Sequence, residues 1–308
     1  MKKIILFLVI TLCSLSQSFG QFKMPNTEDF ELAEKLPIVI LKKKENDQNG
    51  VEFNKYVKKY VEQFFGTERI HAYLTYNDFK KFIKKKENKD KFIFVGYDYV
   101  NSQKPFNNGV QIAGIDYLNY HNIYLGICGR SYMINNGYLA VMSYQEFPSK
   151  LFEKKKKFII DESLMKFAIS NIKQQLVNGI NLKEDLKSNE NLKNIKELTL
   201  LVDKNIVDEK FLDDLKKNYV YKYEIVDSER IKKAILENEN GVAFFHNHFQ
   251  PMASRQFASL LHIYQANDLK ILYFTLPENV GKFQIGKPKL IVDDTKGYIE
   301  MLINEIAK

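Results

Sequence analysis

The strongest constraint on the fold of this chain is a succession of apolar patterns (strand, helix, strand, helix, strand) that occurs twice. Short apolar runs typical of buried strands alternate with segments whose apolar residues recur at helical spacing. In the first half, strands are predicted over residues 37–41, 70–74 and 91–96, with helices over 51–65 and from an N-cap at Asn77. In the second half, strands are predicted over 198–202, 220–226 and 241–245, with helices over 207–217 and from about Asp227. This order favours helices covering a parallel sheet, so we predict an α/β fold of two Rossmann-like β-α-β-α-β units with mostly parallel strands.

The halves are predicted to diverge after their third strands. The first continues as a tyrosine-rich β-meander, with short strands over 110–115, 122–128 and 138–144. The second continues with a helix over 254–266, a strand over 270–275, an extended segment over 288–292 and a final helix over 295–307. A helix over 161–177 and a polar stretch over 178–196 separate them. The predicted segments are a signal peptide (1–20), a first α/β lobe with the meander (21–160), a helical connection (161–196) and a second α/β lobe (197–308).

The first twenty residues have the three parts of a secretory signal peptide. Lys2 and Lys3 precede an apolar run over 4–12, and small residues lead to an expected cleavage after Gly20. We therefore expect an exported protein, periplasmic or secreted. The apolar run is shorter than the roughly 20 residues that span a bilayer, and no later run is long enough, so no transmembrane segment is expected after cleavage. Without the leader, Cys128 is the only cysteine, which excludes an intramolecular disulfide.

The basic charge does not indicate a nucleic-acid-binding protein. The formal net charge is +8, but the chain has only four arginines, and its lysines are spread in short runs. Sequence-specific nucleic-acid sites depend strongly on the forked guanidinium group, so we predict no specific nucleic-acid partner. A small molecule or an envelope protein is the partner that fits an exported chain of this composition.

The segment over 92–145 holds eight of the 18 tyrosines and only four charged residues. Strand alternation predicts that Ile123, Leu125 and Ile127 face one way, with Tyr124, Gly126 and Cys128 on the other face. The same alternation predicts that Tyr138 and Tyr144 share a face. Such a segment is either sheet packing, for which tyrosine is well suited, or a tyrosine-lined groove for a sugar, a peptide or an aromatic ligand.

The sharpest polar cluster is His246-Asn247-His248, which directly follows a predicted strand. Ligands of open α/β sheets bind beyond the carboxyl ends of the strands, and the equivalent segment of the first half is residues 96–99. A strand would place His246 and His248 on one face, where they could bind a metal or a polar ligand. Zinc normally needs three or four protein ligands, and the further candidates are scattered, so we predict no metal site. Those candidates are His71, His121, His262, Asp98 and Asp116.

Cys128 and Arg130 lie in a glycine-containing segment that only superficially resembles a nucleophile elbow, because a glycine follows the cysteine at once and no helix comes after it. We predict a buried or partly buried free thiol at Cys128; the alternative is a catalytic cysteine with a distant histidine. Arg130 is the lone arginine of a charge-poor segment. It could clamp a carboxylate or phosphate of a ligand, or pair with Asp116.

The chain has no Walker loop, no Gly-x-Gly-x-x-Gly after a first strand, no His-Glu-x-x-His and no paired-cysteine spacing, so no cofactor is predicted. Two α/β lobes in an exported chain resemble, in architecture, the bilobed periplasmic ligand-binding proteins. The resemblance implies a non-enzymatic ligand-binding or envelope-accessory protein, whose ligand lies between the lobes and contacts Tyr97, Asp98, Arg130, His246 and His248. Two alternatives stay open: an exported hydrolase that uses His246 and His248, with or without a metal and with Asp98 as third ligand or base, and a structural protein-interaction module.

Overall fold

The computed structural model describes residues 24–101, 119–132, 138–146, 158–180, 189–207, 209–251, 257–274 and 298–307. Within these ranges, ten strands form two five-stranded sheets, one from each half of the chain. None of the helices in the same ranges is both long enough and apolar enough to cross a membrane. The predicted signal peptide lies outside the described residues.

The described part of the first half contains four α-helices and five strands. In chain order they are α1 (Thr27–Lys35), β1 (Ile38–Lys42), α2 (Gln48–Phe65), β2 (Ile70–Thr75), α3 (Tyr76–Lys84), β3 (Ile93–Asn101), β4 (Asn119–Ile127), β5 (Ala140–Glu146) and α4 (Glu162–Ile180). The sequence prediction missed α1, which begins with a capping box between Asn26 and Asp29. The predicted N-cap of α3 was wrong by two residues, because the Thr75 hydroxyl accepts the Asp78 amide and starts the helix earlier.

The second half repeats the succession. A 3₁₀ segment (Asn189–Glu197) precedes β6 (Thr199–Asp203), α5 (Glu209–Asn218), β7 (Tyr223–Val226), α6 (Ser228–Glu237), β8 (Val242–Pro251), β9 (Phe257–Gln265), β10 (Ile271–Phe274) and α7 (Tyr298–Ala307). Asp227 caps α6 as predicted. The predicted helix over 254–266 is wrong, because residues 257–265 form β9, which pairs with β8 over nine residues. The predicted strands over 110–115 and 288–292 lie outside the described residues.

The two sheets have the same connectivity. Their strand orders are β2-β1-β3-β4-β5 and β7-β6-β8-β9-β10. The first three strands of each half run parallel, and the last two add antiparallel pairs. The α/β class is therefore confirmed. The mostly parallel, Rossmann-like arrangement is not, because the longest ladders of both sheets are antiparallel.

Helices α1, α2, α4 and α6 lie between the two sheets and share one hydrophobic core with both. Helix α4 contributes most to this layer: Phe167, Ala168 and Ile172 are buried, and the Phe167 ring centroid lies 5.7 Å from that of Phe244 on β8. Burying a large apolar side chain stabilises a fold by about 1.5–3 kcal/mol. Separating the sheets would expose a whole layer of such residues, so the shared core opposes a wide hinge motion between the halves.

The two repeated units contact each other through different faces of their sheets. In the first half, α1, α2 and α4 cover the face of the sheet that points to the central layer, and α3 covers the outer face. In the second half, the corresponding 3₁₀ segment, α5 and α7 cover the outer face, and α6 points to the central layer. The contact between the halves therefore joins opposite faces of the same unit.

Two adjacent glutamines of α4 hydrogen-bond to the edge strands of both sheets. The Gln175 side chain accepts from the Val141 amide (3.2 Å) and donates to the Val141 carbonyl (2.9 Å) on β5. The Gln174 side chain accepts from the Ile271 amide of β10 (3.2 Å) and donates to the Leu269 carbonyl. Each side-chain amide thus occupies two backbone groups at or beside an edge strand, as part of a neighbouring strand would.

A buried lysine fixes α4 to the second half. Lys166 is 3% exposed, and its ammonium donates to the Ile235 carbonyl (2.5 Å), the Leu236 carbonyl (3.1 Å) and Asn238 Oδ1 (2.8 Å). These acceptors form the carboxyl end of α6, where the helix dipole favours a cation. Burial lowers the pKa of Lys166, and the three acceptors compensate the ammonium for lost water.

Candidate functional site

A group of tyrosines and one ion pair lies at the carboxyl end of the parallel part of the first sheet. The chain leaves β1 towards β2 on one side and returns to β3 on the other, so the β1 and β3 ends meet at the switch point where open α/β sheets bind ligands. We call this group the tyrosine site. It consists of Lys43 after β1, Tyr76 after β2, Asp98 on β3, Tyr124 on β4 and Tyr138 before β5.

Lys43 and Asp98 form the polar part of the tyrosine site. Lys43 Nζ lies 3.6 Å from Asp98 Oδ1 and donates to the Tyr97 carbonyl at 3.0 Å. Asn54 of α2 fixes the Lys43 backbone, because its side chain accepts from the Lys43 amide and donates to the Lys43 carbonyl, both at 2.9 Å. Each member of the ion pair keeps a third of its side chain exposed, so a ligand can reach a positioned cation and a positioned anion.

Tyr124 and Tyr138 form the aromatic part. Their rings stack with centroids 3.8 Å apart and planes 7° apart, and the Tyr138 hydroxyl donates to Asp98 Oδ2 at 2.5 Å. Burial, and next the hydrogen bond to Asp98, raise the pKa of Tyr138, which keeps its hydroxyl a donor. A Cβ on Gly96 would lie 2.5 Å from the Tyr124 hydroxyl, so this glycine makes room for the ring. Tyr76, at 54% exposure, is the most accessible ring of the site.

The prediction for the faces of this segment was partly right. Ile123, Leu125 and Ile127 face the central core, and Tyr124 and Cys128 face outward, as strand alternation predicted. The prediction that Tyr138 and Tyr144 share a face was wrong, because β5 begins only at Ala140 and the chain before it does not follow the pleat. Tyr138 stacks on the outer face, whereas Tyr144 packs inward.

A second group of rings joins the two halves, and we call it the central joint. Its ring contacts begin with Tyr97 and His121, whose centroids are 6.0 Å apart and whose Oη and Nδ1 atoms are hydrogen-bonded at 2.7 Å. They continue from His121 to Phe158 (4.1 Å), from Phe158 to Tyr144 (5.5 Å) and from Tyr144 to His246 (6.2 Å). Tyr97 and His246, predicted to contact one ligand, are therefore linked through a series of buried and partly buried rings.

A chain of hydrogen bonds crosses the same joint. Gln175 donates to Asn171 Oδ1 (2.8 Å), and Asn171 donates to the Tyr264 hydroxyl (2.7 Å), which lies 3.1 Å from Nδ1 of His262. Tyr264 is fully buried, and burial raises its pKa. This network carries polar contacts through the core from β5 to β9. We therefore infer that its main role is to fix the position of the two halves relative to each other.

The histidine cluster lies within β8 instead of in a loop after it. Register places His246 opposite His262 on β9 and His248 opposite Leu260; the side chain of His248 is outside the described part. Of the further candidates, His262 therefore comes closest to His246, whereas His71 packs against Phe92 in the first half. Among the described residues, no group of three or more histidine, cysteine or acidic side chains could hold a metal ion.

The strand register also shows which positions of the tyrosine site and of the central joint correspond in the repeated unit. Ile93 of β3 and Ala243 of β8 occupy corresponding places beside β1 and β6, so Gly96 corresponds to His246 in the repeated unit. This agrees with the expected equivalence of the two segments. In the second half the corresponding corner is filled by α4 of the first half, whose Phe167 ring lies 4.7 Å from that of His246. In the first half the corresponding corner is the tyrosine site, where the side chains of Tyr76, Lys43 and Asp98 are exposed or partly exposed.

Arg130 and Cys128 lie at the other end of the first sheet. Ile127 pairs with Ile93 at the start of β3, five residues before Asp98, so Arg130 is separated from Asp98 by more than roughly 16 Å along the strands. Its guanidinium binds the buried carboxylate of Asp29 and, at 2.7 Å, Asp90, which anchors α1; the alternative partner Asp116 is outside the described residues. Cys128 is buried as predicted, and burial raises its pKa to about 12.

The structure thus divides the predicted ligand-binding residues among three places. Asp98 belongs to the tyrosine site, Tyr97 and His246 belong to the central joint, and Arg130 holds α1. Sequence reasoning missed Lys43, which stands in a lysine run that looks solvated. Its signal was its position, directly after a fully buried strand.

Comparison of the chain with family models, with curated proteins and with solved structures gives no match.

Proposed function

We propose that this chain is an exported, non-enzymatic binding protein whose small-molecule ligand occupies the tyrosine site. One observation carries the proposal: an accessible ion pair and stacked tyrosines come together at the switch point of a sheet. Lys43 supplies a donor, Asp98 an acceptor and Tyr138 a hydroxyl held by Asp98 at 2.5 Å. Pockets that combine apolar rings with a few fixed polar groups are typical of ligand sites.

This proposal moves the ligand from between the lobes to the edge of the first sheet. The expected site between the lobes coincides with the central joint, where Tyr97 and His121 are each 4% exposed and Tyr264 is fully buried. A ligand there would have to displace packed rings and part of the shared core. At the tyrosine site, Tyr76, Lys43 and Asp98 already reach the surface.

The test compares the purified protein with two variants by native mass spectrometry and by the mass of the denatured chain. A co-purified ligand adds a few hundred daltons to the native mass and disappears in Asp98→Asn and Tyr138→Phe, which keep the side-chain shapes but weaken the polar contacts. Asp213→Asn is the control, because it makes the same change as Asp98→Asn at an aspartate on α5 of the other half, whose side chain is 76% exposed beside Lys216. A ligand retained in both site variants would refute the proposal.

A second candidate, an exported hydrolase, is favoured by the cross-strand pair His246 and His262. Directly opposed residues of antiparallel strands have Cβ atoms about 5 Å apart, so two imidazoles are held on one face. Asp98 is not the third group of this site, since it faces outward in the other half. His246→Ala and His262→Ala would each abolish a hydrolase activity, and urea unfolding would separate this loss from a loss of stability, because both side chains contact packed aromatic rings. A binding protein at the tyrosine site would keep its ligand in each variant that remains folded.

A further inference from the structure

We infer that the ligand of the tyrosine site is a neutral saccharide; this inference rests on the proposed function and specifies its ligand class. The juxtaposition that carries it is a pair of opposite charges next to tyrosine rings at one accessible edge. Lys43 and Asp98 are 3.6 Å apart, and both remain one-third exposed. The stacked Tyr124 and Tyr138 adjoin Asp98 directly, and Tyr76 begins the neighbouring helix.

The ion pair disfavours a charged ligand. An anion bound to Lys43 would lie next to the Asp98 carboxylate, and a cation bound to Asp98 would lie next to the Lys43 ammonium. In either case, the repulsion from the second charge offsets most of the attraction to the first, because the two distances are similar. A neutral ligand avoids this cost and uses both groups together.

The hydrogen-bonding groups match vicinal hydroxyls. The ammonium has three N–H donors, of which one binds the Tyr97 carbonyl, and the carboxylate can accept more bonds than the one from Tyr138. One hydroxyl of a diol can accept from Lys43 while its neighbour donates to Asp98. Charge-assisted bonds of this kind are about twice as strong as neutral ones.

The tyrosine rings match the other surface of a sugar. A pyranose ring has hydroxyls around its rim and C–H groups on its faces, and tyrosine offers a flat apolar body with a polar tip. The Tyr76 ring is more than half exposed and carries Lys80 Nζ 4.6 Å from its centroid. Tyr124 is 3% exposed and stacks on Tyr138, so the ring surface open to a ligand is that of Tyr76. This ring and the ion pair together fit a ligand that is apolar on one face and neutral and polar at its edge.

The experiment is saturation-transfer NMR on the full chain from a secreting host, with a panel of neutral trisaccharides: maltotriose, cellotriose and chitotriose. Glycyl-tyrosine serves as a zwitterionic aromatic probe, and a tri-uronate serves as an anionic probe. We expect at least one neutral trisaccharide to bind, with affinity lowered about tenfold or more in Asp98→Asn and in Tyr76→Ala, and unchanged in Asp213→Asn.

The outcomes separate the two proposals. If the dipeptide or the uronate binds, with the loss confined to Asp98→Asn and Tyr76→Ala, and no neutral sugar does, the saccharide inference is refuted and the binding site stands. If no probe binds, the saccharide inference is refuted, and the co-purification test decides the site by itself. If a trisaccharide binds equally to all three variants, its site is elsewhere and both proposals fail.

Discussion

Replacing Lys166 with methionine tests whether the buried ammonium joins the two halves. Methionine has a similar length, so the substitution removes the charge and its three hydrogen bonds without leaving a large cavity. Hydrogen bonds to charged groups contribute about 1.5–3 kcal/mol each, and leaving water costs a buried ammonium several kcal/mol. Lys166→Met removes both terms but leaves the three acceptor oxygens without this donor; because an unpaired buried acceptor costs about 1–3 kcal/mol, we expect a net loss of about 3 kcal/mol.

The assay is urea unfolding followed by circular dichroism and tyrosine fluorescence. With a slope of about 3 kcal/mol per molar urea, the midpoint should fall by about 1 M while the slope stays constant. Lys58→Met is the matched control, because Lys58 has its side chain 60% exposed beside Glu62, and its midpoint should not move. If Lys166→Met is as stable as the parent chain, the desolvation of the ammonium cancels its contacts and Lys166 does not hold the halves together.

Three further predictions concern other parts of the molecule. Arg130→Leu should lower the free energy of unfolding by about 3 kcal/mol in the same assay, because it leaves the buried Asp29 carboxylate without its guanidinium; a loss below about 1 kcal/mol would contradict this. Cys128 should resist iodoacetamide at pH 8 and react only as the protein unfolds in urea, as peptide mapping would show, because its pKa of about 12 leaves almost no thiolate. Gly96→Ala should displace the Tyr124 ring, cost about 1–3 kcal/mol of stability and weaken ligand binding at the tyrosine site, measured by urea unfolding and titration; unchanged binding would exclude a role for the stacked rings.

The repeated β-α-β-α-β order could be predicted from sequence because local periodicity determines it. The fully buried run at 38–40 and the capped start of α6 are strong local signals. Segment 257–265 could not be assigned in this way, since its apolar residues fit both a helical and a strand period. Pairing with β8 decides its structure, and that contact is tertiary. Antiparallel pairing of this kind makes both sheets mixed. It also makes the two halves alike beyond the point at which the sequence analysis predicted that they diverge.

The candidate site was predictable in position but not in composition. The rule that ligands bind beyond the strand ends selected the segment of Tyr97 and Asp98, next to which the tyrosine site lies. Because successive strand residues face opposite ways, these two side chains belong to different groups. The contribution of Tyr138 depends on where β5 begins, and that of Lys43 depends on the clamp by Asn54 of α2. Neither the start of β5 nor the contact with Asn54 can be predicted from the local sequence pattern.

The two glutamines of α4 have a consequence for aggregation. An open strand edge is a template on which another chain can add a strand, and each sheet has one edge, at β5 or β10, where Gln175 or Gln174 occupies backbone hydrogen-bonding groups. One helix therefore supplies hydrogen bonds to an edge strand of each sheet. Any event that releases α4, such as partial unfolding, would uncover both edges at once and create a species able to pair with two other chains. Loss of this single helix would therefore make the chain bivalent for strand addition and β-sheet polymerisation.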